Sequence, residues 1–161
     1  MKKLFLSLAL VAGFGLANAQ IAKGKIVVDV NTGSYATGNT SFGLTSVDGT
    51  TSWRVGAEGG YFIAPNFAVK AGLGFQDSGI DGADSEFLYK VGAQYYVANK
   101  FPVGVDLTGS TLEDSPLYIG VEGGYAWFVA PNVAITPKVR YNISTDSDKG
   151  ESAFQGLIGF S

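Results

Sequence analysis

The sequence contains neither cysteine nor histidine. Without cysteine it has no disulfide framework, no thiolate metal site and no lipid-modified cysteine behind an export signal. Without either residue it cannot build a Ser-His or Cys-His nucleophile, so we expect a protein that is not an enzyme and has no cofactor. A carboxylate pair remains conceivable as an acid–base couple, but Glu58 and Glu122 have a simpler interpretation as buried members of ion pairs.

Beyond residue 19 the chain also lacks an apolar run long enough for a transmembrane helix. At its start, Lys2 and Lys3 precede the apolar stretch LFLSLALVAGFGL, and ANA then ends in the small residues that a signal peptidase accepts. We therefore expect a signal peptide over residues 1–19 and a single domain over residues 20–161. The 23 glycines and 5 prolines leave little room for long helices, which favours an all-β fold.

One phrase occurs three times in the chain. It reads VGAEGGYFIAPNFAV from Val55, VGAQYYVANKFPV from Val91 and IGVEGGYAWFVAPNVAI from Ile119. The second copy lacks GG and the third gains AW, so every length difference is two residues. Because side chains alternate faces along a strand, such changes keep every residue on its face. The unit is therefore strand, tight turn, strand, with IAPN, VANK and VAPN as the turns.

These hairpins supply six strands, and KIVVDVN from Lys25 and AFQGLIGF from Ala153 add one at each end. The pattern predicts an all-β fold, an eight-stranded antiparallel up-and-down barrel. We interpret NTSFGLTSV, from Asn39, as part of a long first loop, with an extra strand over residues 39–47 as the alternative. Pro137 falls in mid-strand, and because it lacks an N–H we expect a bulge or a lengthened hydrogen bond there.

One face of each predicted strand is apolar, and the other carries charge and glycine. Periodicity alone leaves two solutions, since a soluble barrel buries its apolar face inside and a membrane barrel does the reverse. Glycine favours the membrane solution, because inside a narrow barrel it makes room for long side chains. We therefore expect a lumen charge network of ten residues: Lys25, Asp29, Arg54, Glu58, Lys70, Lys90, Asp106, Glu122, Lys138 and Arg140.

The aromatic residues of the apolar face fall into two groups, one beside the turns and one near the opposite strand ends. Two such bands are what the two interfaces of a bilayer require. The expected aromatic girdle consists of Trp53, Tyr61, Phe67, Phe75, Phe87, Tyr95, Phe101, Tyr125, Trp127 and Tyr141. Three connections are tight turns and the opposite ones are longer, which is the outer-membrane arrangement.

The longer loops are acidic. Their carboxylates are Asp48, Asp77, Asp81, Asp84, Glu86, Glu113, Asp114, Asp146, Asp148 and Glu151, against the single cation Lys149. The default interpretation is solvation of the loops, and the alternative is a divalent cation bridging to lipopolysaccharide phosphates.

The export signal, the aromatic-flanked APN hairpins and the final strand FQGLIGF are the residues that carry a family resemblance. In these features the chain resembles the small eight-stranded outer-membrane β-barrels of Gram-negative bacteria, of the OmpA-barrel and OmpX type. The resemblance covers essentially all of the chain after the signal peptide. It implies insertion in the cell outer membrane, contact with the lipid bilayer and with lipopolysaccharide, and assembly by the barrel-assembly machinery. One departure is Ser161, which follows the terminal aromatic Phe160.

The expected function is that of an integral outer-membrane barrel with a plugged polar lumen. Its role would be structural or interactive, through acidic extracellular loops, and we expect a monomer without nucleic-acid partners. Two alternatives stay open. One is a narrow, porin-like channel for ions or small solutes, and the other is a soluble secreted ligand-binding barrel.

Overall fold

The computed structural model describes residues 21–33, 43–47, 50–80, 85–112 and 115–161. The predicted signal peptide lies outside these ranges. Every regular element among the described residues is a β-strand. The strands are β1 (Ile26–Asn31), β2 (Gly43–Val47), β3 (Thr50–Ala64), β4 (Phe67–Asp77), β5 (Glu86–Val97), β6 (Phe101–Ser110), β7 (Tyr118–Gly124), β8 (Trp127–Ala130), β9 (Val133–Ser144) and β10 (Ala153–Phe160). None of the described residues belongs to a helix long and apolar enough to cross a membrane.

The strands form one antiparallel sheet that closes on itself. Its order is β1-β10-β9-β7-β6-β5-β4-β3-β2, and β1 also pairs with β3. Two positions are each shared by two segments: β1 and β2 pair with successive parts of β3, and β7 and β8 with successive parts of β9. Ten segments thus occupy eight positions, and the predicted closed eight-stranded antiparallel barrel is confirmed.

The segment interpreted as a long first loop contains a strand. Residues 43–47 form β2, which pairs with Thr50–Arg54 at the start of β3, while residues 39–42 lie outside the described ranges. β3 has 15 residues and β1 only 6, so β1 cannot satisfy the whole backbone edge of β3. The alternative of an extra strand is therefore correct for residues 43–47.

Exposure alternates along the strands as the sequence pattern predicts. In β4 the burial alternates without exception from Ala68 to Gln76. The exposed residues are apolar, for example Leu73 at 60%, whereas Lys70 on the opposite face of the same strand is only 7% exposed. The barrel therefore turns its apolar face outward and its charged face toward the axis.

The three predicted tight turns are present, but they are not identical. Lys100 N–H donates to the carbonyl of Val97, and Ala98 and Asn99 both have positive φ, which is a type I′ hairpin turn. The two APN turns are each preceded by a register shift, one between Phe62 and Ala64 and the other between Phe128 and Ala130. The first and third copies of the repeated phrase thus share a bulge that the second copy lacks.

Pro137 lies in β9, which is continuous, but the strand position paired with it is divided into β7 and β8. β9 pairs with β10 continuously through Pro137 and Ile158, so the expected bulge in β9 is absent. The Pro137 carbonyl accepts from Tyr125 N–H, and since N–H and C=O of one residue point the same way, the missing N–H also faces Tyr125. The break between β7 and β8 lies at this point, because the carbonyl of Tyr125 has no donor in Pro137.

Candidate functional site

Eight charged side chains form a closed ring of ion pairs inside the barrel. Each carboxylate contacts two cations and each cation contacts two carboxylates. The order around the ring is Asp29, Lys70, Glu58, Lys90, Asp106, Arg140, Glu122, Lys138 and back to Asp29. The nitrogen–oxygen distances run from 2.5 Å for Lys90 and Glu58 to 3.7 Å for Lys90 and Asp106. Four positive and four negative charges make the ring electrically neutral.

Seven of the eight barrel positions supply the ring. β9 supplies both Lys138 and Arg140, and β10 supplies no charge. Lys138 reaches past β10 to Asp29 on β1, at 2.9 Å. It can do so because β10 has Gly159 here: a Cβ on Gly159 would lie 3.1 Å from Lys138 Cε and 3.2 Å from Asp29 Oδ1. A glycine thus lets the ring close across a strand that contributes nothing to it.

Arg140 donates four hydrogen bonds to three side chains inside the barrel. Its Nη1 and Nη2 atoms each donate to Asp106 at 2.6 Å, which is a bidentate pair, and Nη1 also reaches Glu122 at 3.3 Å. Its Nε donates to Asn142 at 2.7 Å. The residue is 1% exposed. A fork-shaped guanidinium suits this position, because a lysine could not reproduce the planar bidentate geometry.

Inward-facing glycines give these long side chains their space. A Cβ on Gly120 would lie 2.0 Å from Arg140 Nη2, and one on Gly92 would lie 2.5 Å from the Val105 carbonyl oxygen. By contrast, Gly59 and Gly156 face outward and have no atom within 4 Å of the Cβ position. The glycine on the charged face therefore has the steric reason that the sequence pattern suggested.

We expect Gly120→Ala to destabilise the folded barrel by about 1–3 kcal/mol, because the new methyl group displaces the buried guanidinium of Arg140. The outward Gly59→Ala is the matched control and should stabilise the strand by about 0.5–1 kcal/mol. Urea unfolding of the folded protein, followed by tryptophan fluorescence, measures both. Equal effects of the two substitutions would contradict the steric role of Gly120.

Below the ring, at the end with the tight turns, the interior is apolar. Ile21, Phe62, Ala68, Tyr96 and Ala126 form a buried cluster, against which Val27 and Phe128 pack. Sequence reasoning missed this layer, although a signal for it exists. Each copy of the repeated phrase has two adjacent aromatic residues (Tyr61 and Phe62, Tyr95 and Tyr96, Trp127 and Phe128), of which the second points inward.

Above the ring the fully or almost fully buried side chains are polar and uncharged. Thr108 and Asn142 are fully buried, and Gln76 and Gln155 nearly so. Asn142 accepts from Arg140 and donates to Gln155 at 3.3 Å, which links this layer to the ring. Along the axis, the buried side chains of the described residues therefore form an apolar layer, a charged ring and an amide-rich layer.

Two residues of the predicted lumen network lie outside the ring. Lys25 precedes β1, and its side chain is exposed because the inner rim at this end is occupied by the apolar cluster. Arg54 lies on the part of β3 that pairs with β2, and its guanidinium packs against Gly43. Both residues lie on the predicted face of the sheet, but at a different height along the barrel axis from the eight residues of the ring.

The predicted girdle residues lie on the outer surface. Nine of the ten are between 37% and 50% exposed, and Phe67 is half-buried. The rings of Trp53 and Phe75 are 5.5 Å apart in the band at the loop end, and those of Phe101 and Tyr125 are 5.5 Å apart in the band at the turn end. On β3, β4 and β5 the two bands are eight residues apart, as with Trp53 and Tyr61.

The described acidic loop residues bond mainly to their own loops. Asp77 accepts from Gly79 N–H and from the hydroxyl of Ser85, and Asp146 accepts from Asp148 N–H. Glu86 pairs with Gln76 on the neighbouring strand. Asp48, Asp81, Asp84, Glu113 and Asp114 lie outside the described residues. Among the described residues no group of three or more carboxylates is arranged to hold a metal ion.

One small gap lies beside the ring. The gap lined by Glu58, Lys90 and Asp106 measures about 10 Å³, which is about what one water molecule needs. A neutral ring in which every charge has two partners binds the strands to one another across the axis. No model of a known protein family matches the chain, and no curated protein or solved structure matches it.

Proposed function

We propose that this chain is an integral outer-membrane β-barrel protein of the small eight-stranded type, not an enzyme, with a lumen plugged by its own side chains. It would be exported by the signal peptide, inserted by the barrel-assembly machinery as a monomer, and held in contact with lipid and lipopolysaccharide. Its role is structural or interactive, through the loops opposite the tight turns.

The observation that carries this proposal is the apolar outer surface. Valine, leucine, isoleucine and aromatic side chains are exposed at the outward positions of all eight barrel positions, for example Val28 at 62%, Val55 at 53% and Val139 at 53%. A water-soluble monomer seldom exposes a continuous apolar surface of this extent. The arrangement is also the reverse of what a soluble ligand-binding barrel needs, since such a barrel buries its apolar face.

The spacing of the aromatic bands supports the same proposal. Eight residues of strand span about 26 Å at about 3.3 Å per residue. A strand tilt of about 40° reduces this to about 20 Å along the barrel axis, close to the apolar height of about 25 Å in outer-membrane barrels. Trp53 and Tyr61 on β3 would then lie near opposite interfaces of one bilayer.

The three interior layers support the plugged lumen. An apolar layer around Phe62 and Tyr96 excludes hydrated ions, and the paired charges of the ring offer no free carboxylate or ammonium to a passing ion. This arrangement favours a closed barrel over the porin-like channel.

The first test is folding into lipid. Urea-denatured protein diluted into phosphatidylcholine vesicles should become resistant to protease and should migrate at a different apparent mass before and after boiling. In cells, the protein should remain with the outer-membrane fraction and require detergent for release. A protein that stays monodisperse in the supernatant without detergent would refute the membrane assignment.

The second test concerns the plugged lumen. We expect planar-bilayer recordings of the folded protein to show no reproducible conductance steps, since the ring and the apolar layer close the axis. A large porin recorded under the same conditions serves as the positive control. Regular nanosiemens steps that depend on protein concentration would reject the plug and favour the channel.

A further inference from the structure

Between β1 and β10 the described residues form only a short closure. Among the described residues only Val30 with Phe160 and Asn31 with Gly159 pair in register there, followed by a hydrogen bond from Thr32 N–H to the Ile158 carbonyl. β10 ends at Phe160, so no described strand adjoins the first part of β1 on this side.

At two residues of β1 the backbone N–H and C=O groups point toward this opening. Since Thr32 points its N–H at β10, residues of the same parity, including Val28 and Ile26, also direct N–H and C=O that way. Residues of the other parity face β3, where Phe62 N–H donates to the Lys25 carbonyl. The described residues supply no hydrogen-bond partner for the backbone groups of Ile26 and Val28 on the β10 side, and in a membrane such groups need a polar partner.

A pocket of about 260 Å³ occupies the opening. Its lining includes Ile26 and Val28, which point outward, together with Val27, Phe62 and Phe128, which belong to the inner apolar layer or pack against it. The pocket is therefore lined from both faces of the sheet, by residues of the apolar layer below the ring and of the outer apolar surface.

The pocket also has polar groups at its edge. Lys25, Asn132 and Ser161 line it, and Lys25, like Arg54, lies outside the ring of ion pairs. An ammonium group together with the backbone N–H groups of Ile26 and Val28 suits a small anionic head. The apolar remainder of the lining suits one alkyl chain. At about 260 Å³ the pocket lies just below the range of about 300–1,000 Å³ typical of small-molecule sites.

We propose that this wall pocket binds a single-chain amphiphile with an anionic head, either a fatty acid or a monoacyl phosphate. The head lies by Lys25 and the open edge of β1, and the chain packs on Phe62, Tyr96 and Phe128. The inference rests on the proposed membrane location, which supplies the ligand. An extended peptide is the less suitable occupant, because only two residues of the edge are open and the space behind them is apolar.

Photolabelling in phosphatidylcholine vesicles tests the proposal. The probe is a dodecanoic acid carrying a diazirine on its chain, and attachment sites are mapped by mass spectrometry. We expect labels concentrated at residues 26–28 and Phe128. Val28→Trp, which fills the mouth of the pocket, should lower this labelling by about tenfold or more. The matched Val55→Trp also enlarges an outward-facing valine, but it lies outside the pocket lining and should change nothing.

The anionic head is tested at Lys25. Lys25→Ala should weaken binding of the carboxylate probe by about two- to fivefold, Lys25→Arg should retain it, and a dodecanol probe should be insensitive to either change. Running the carboxylate and the monoacyl phosphate probes in parallel identifies the source of the ligand. Binding of either probe that depends on Lys25 supports the proposal.

Labels spread evenly over the outer surface and unchanged by Val28→Trp would mean surface lipid only and would overturn the site. Labelling of residues 26–28 by a photoreactive apolar pentapeptide in place of the fatty acid would overturn it in favour of strand addition. Each variant is first checked for the shift in gel migration on boiling. A barrel that inserts but shows no pocket-dependent label refutes this inference alone, whereas a chain that does not insert refutes the proposed function.

Discussion

Replacing Arg140 by methionine should lower the free energy of unfolding by about 3–5 kcal/mol, the usual cost of removing one partner from a buried ion pair. Asp106 would lose its bidentate donor and Glu122 one of its two cations. The loss is large because these carboxylates stay buried among protein groups and cannot regain water. Urea titration of vesicle-folded protein, followed by tryptophan fluorescence, gives the free energy.

Arg54→Met is the matched control for this substitution. Arg54 is also an inward-facing arginine, but it lies outside the ring and is half-buried, so we expect a clearly smaller loss. The double variant Arg140→Met with Asp106→Leu should cost less than the sum of the two single changes, because it removes a pair and leaves the ring neutral. Additive costs would show that the two residues are not coupled and would refute the ring as an energetic unit.

An arginine introduced on the outer surface should lower the free energy of unfolding more strongly the closer its position lies to the bilayer midplane. Val91 lies in the middle of β5, paired with Ala71 and Leu107, and its side chain is 53% exposed on the outer face. In a bilayer, Val91→Arg should cost about 2–4 kcal/mol because the charge lies near the midplane. Val97→Arg, at the turn end of the same strand, should cost about 0–1 kcal/mol.

The difference between Val91→Arg and Val97→Arg, measured by the same urea titration, is the informative quantity. Both substitutions put the same side chain on the same face of the same strand, so intrinsic strand propensity largely cancels. Equal and small costs at the two positions would contradict a lipid-exposed outer surface, whatever the shape of the barrel.

The faces of the strands were predictable from the sequence because the side-chain period of a strand is two and depends on nothing distant. For this reason Lys70, Lys90 and Arg140 were assigned to one face and Leu73 and Val91 to the other. The glycines on the charged face then placed that face inside, as the structure has it. The turns were predictable as well, since proline and asparagine favour the backbone angles found there. The effect of Pro137 was predicted as a local irregularity, but its location in the neighbouring strand depends on which edge the missing N–H faces.

The pairing within the ring was not predictable. Which carboxylate meets which cation depends on the stagger between neighbouring strands, and the alternation of faces carries no information about stagger. The stagger also places Lys25 and Arg54, which are on the predicted face of the sheet, at a different height along the barrel axis from the ring of ion pairs. The apolar layer around Phe62 and Tyr96 was missed for a related reason, since its members come together only when the sheet closes.

The sequence by itself therefore determined the all-β class, the hairpins and the side of the sheet on which each residue lies, because these follow from local backbone geometry. Only the tertiary structure decided the closed ring of eight charges, the layers above and below it and the opening between β1 and β10. Those features depend on strand tilt and register, which are settled when the first and last strands meet.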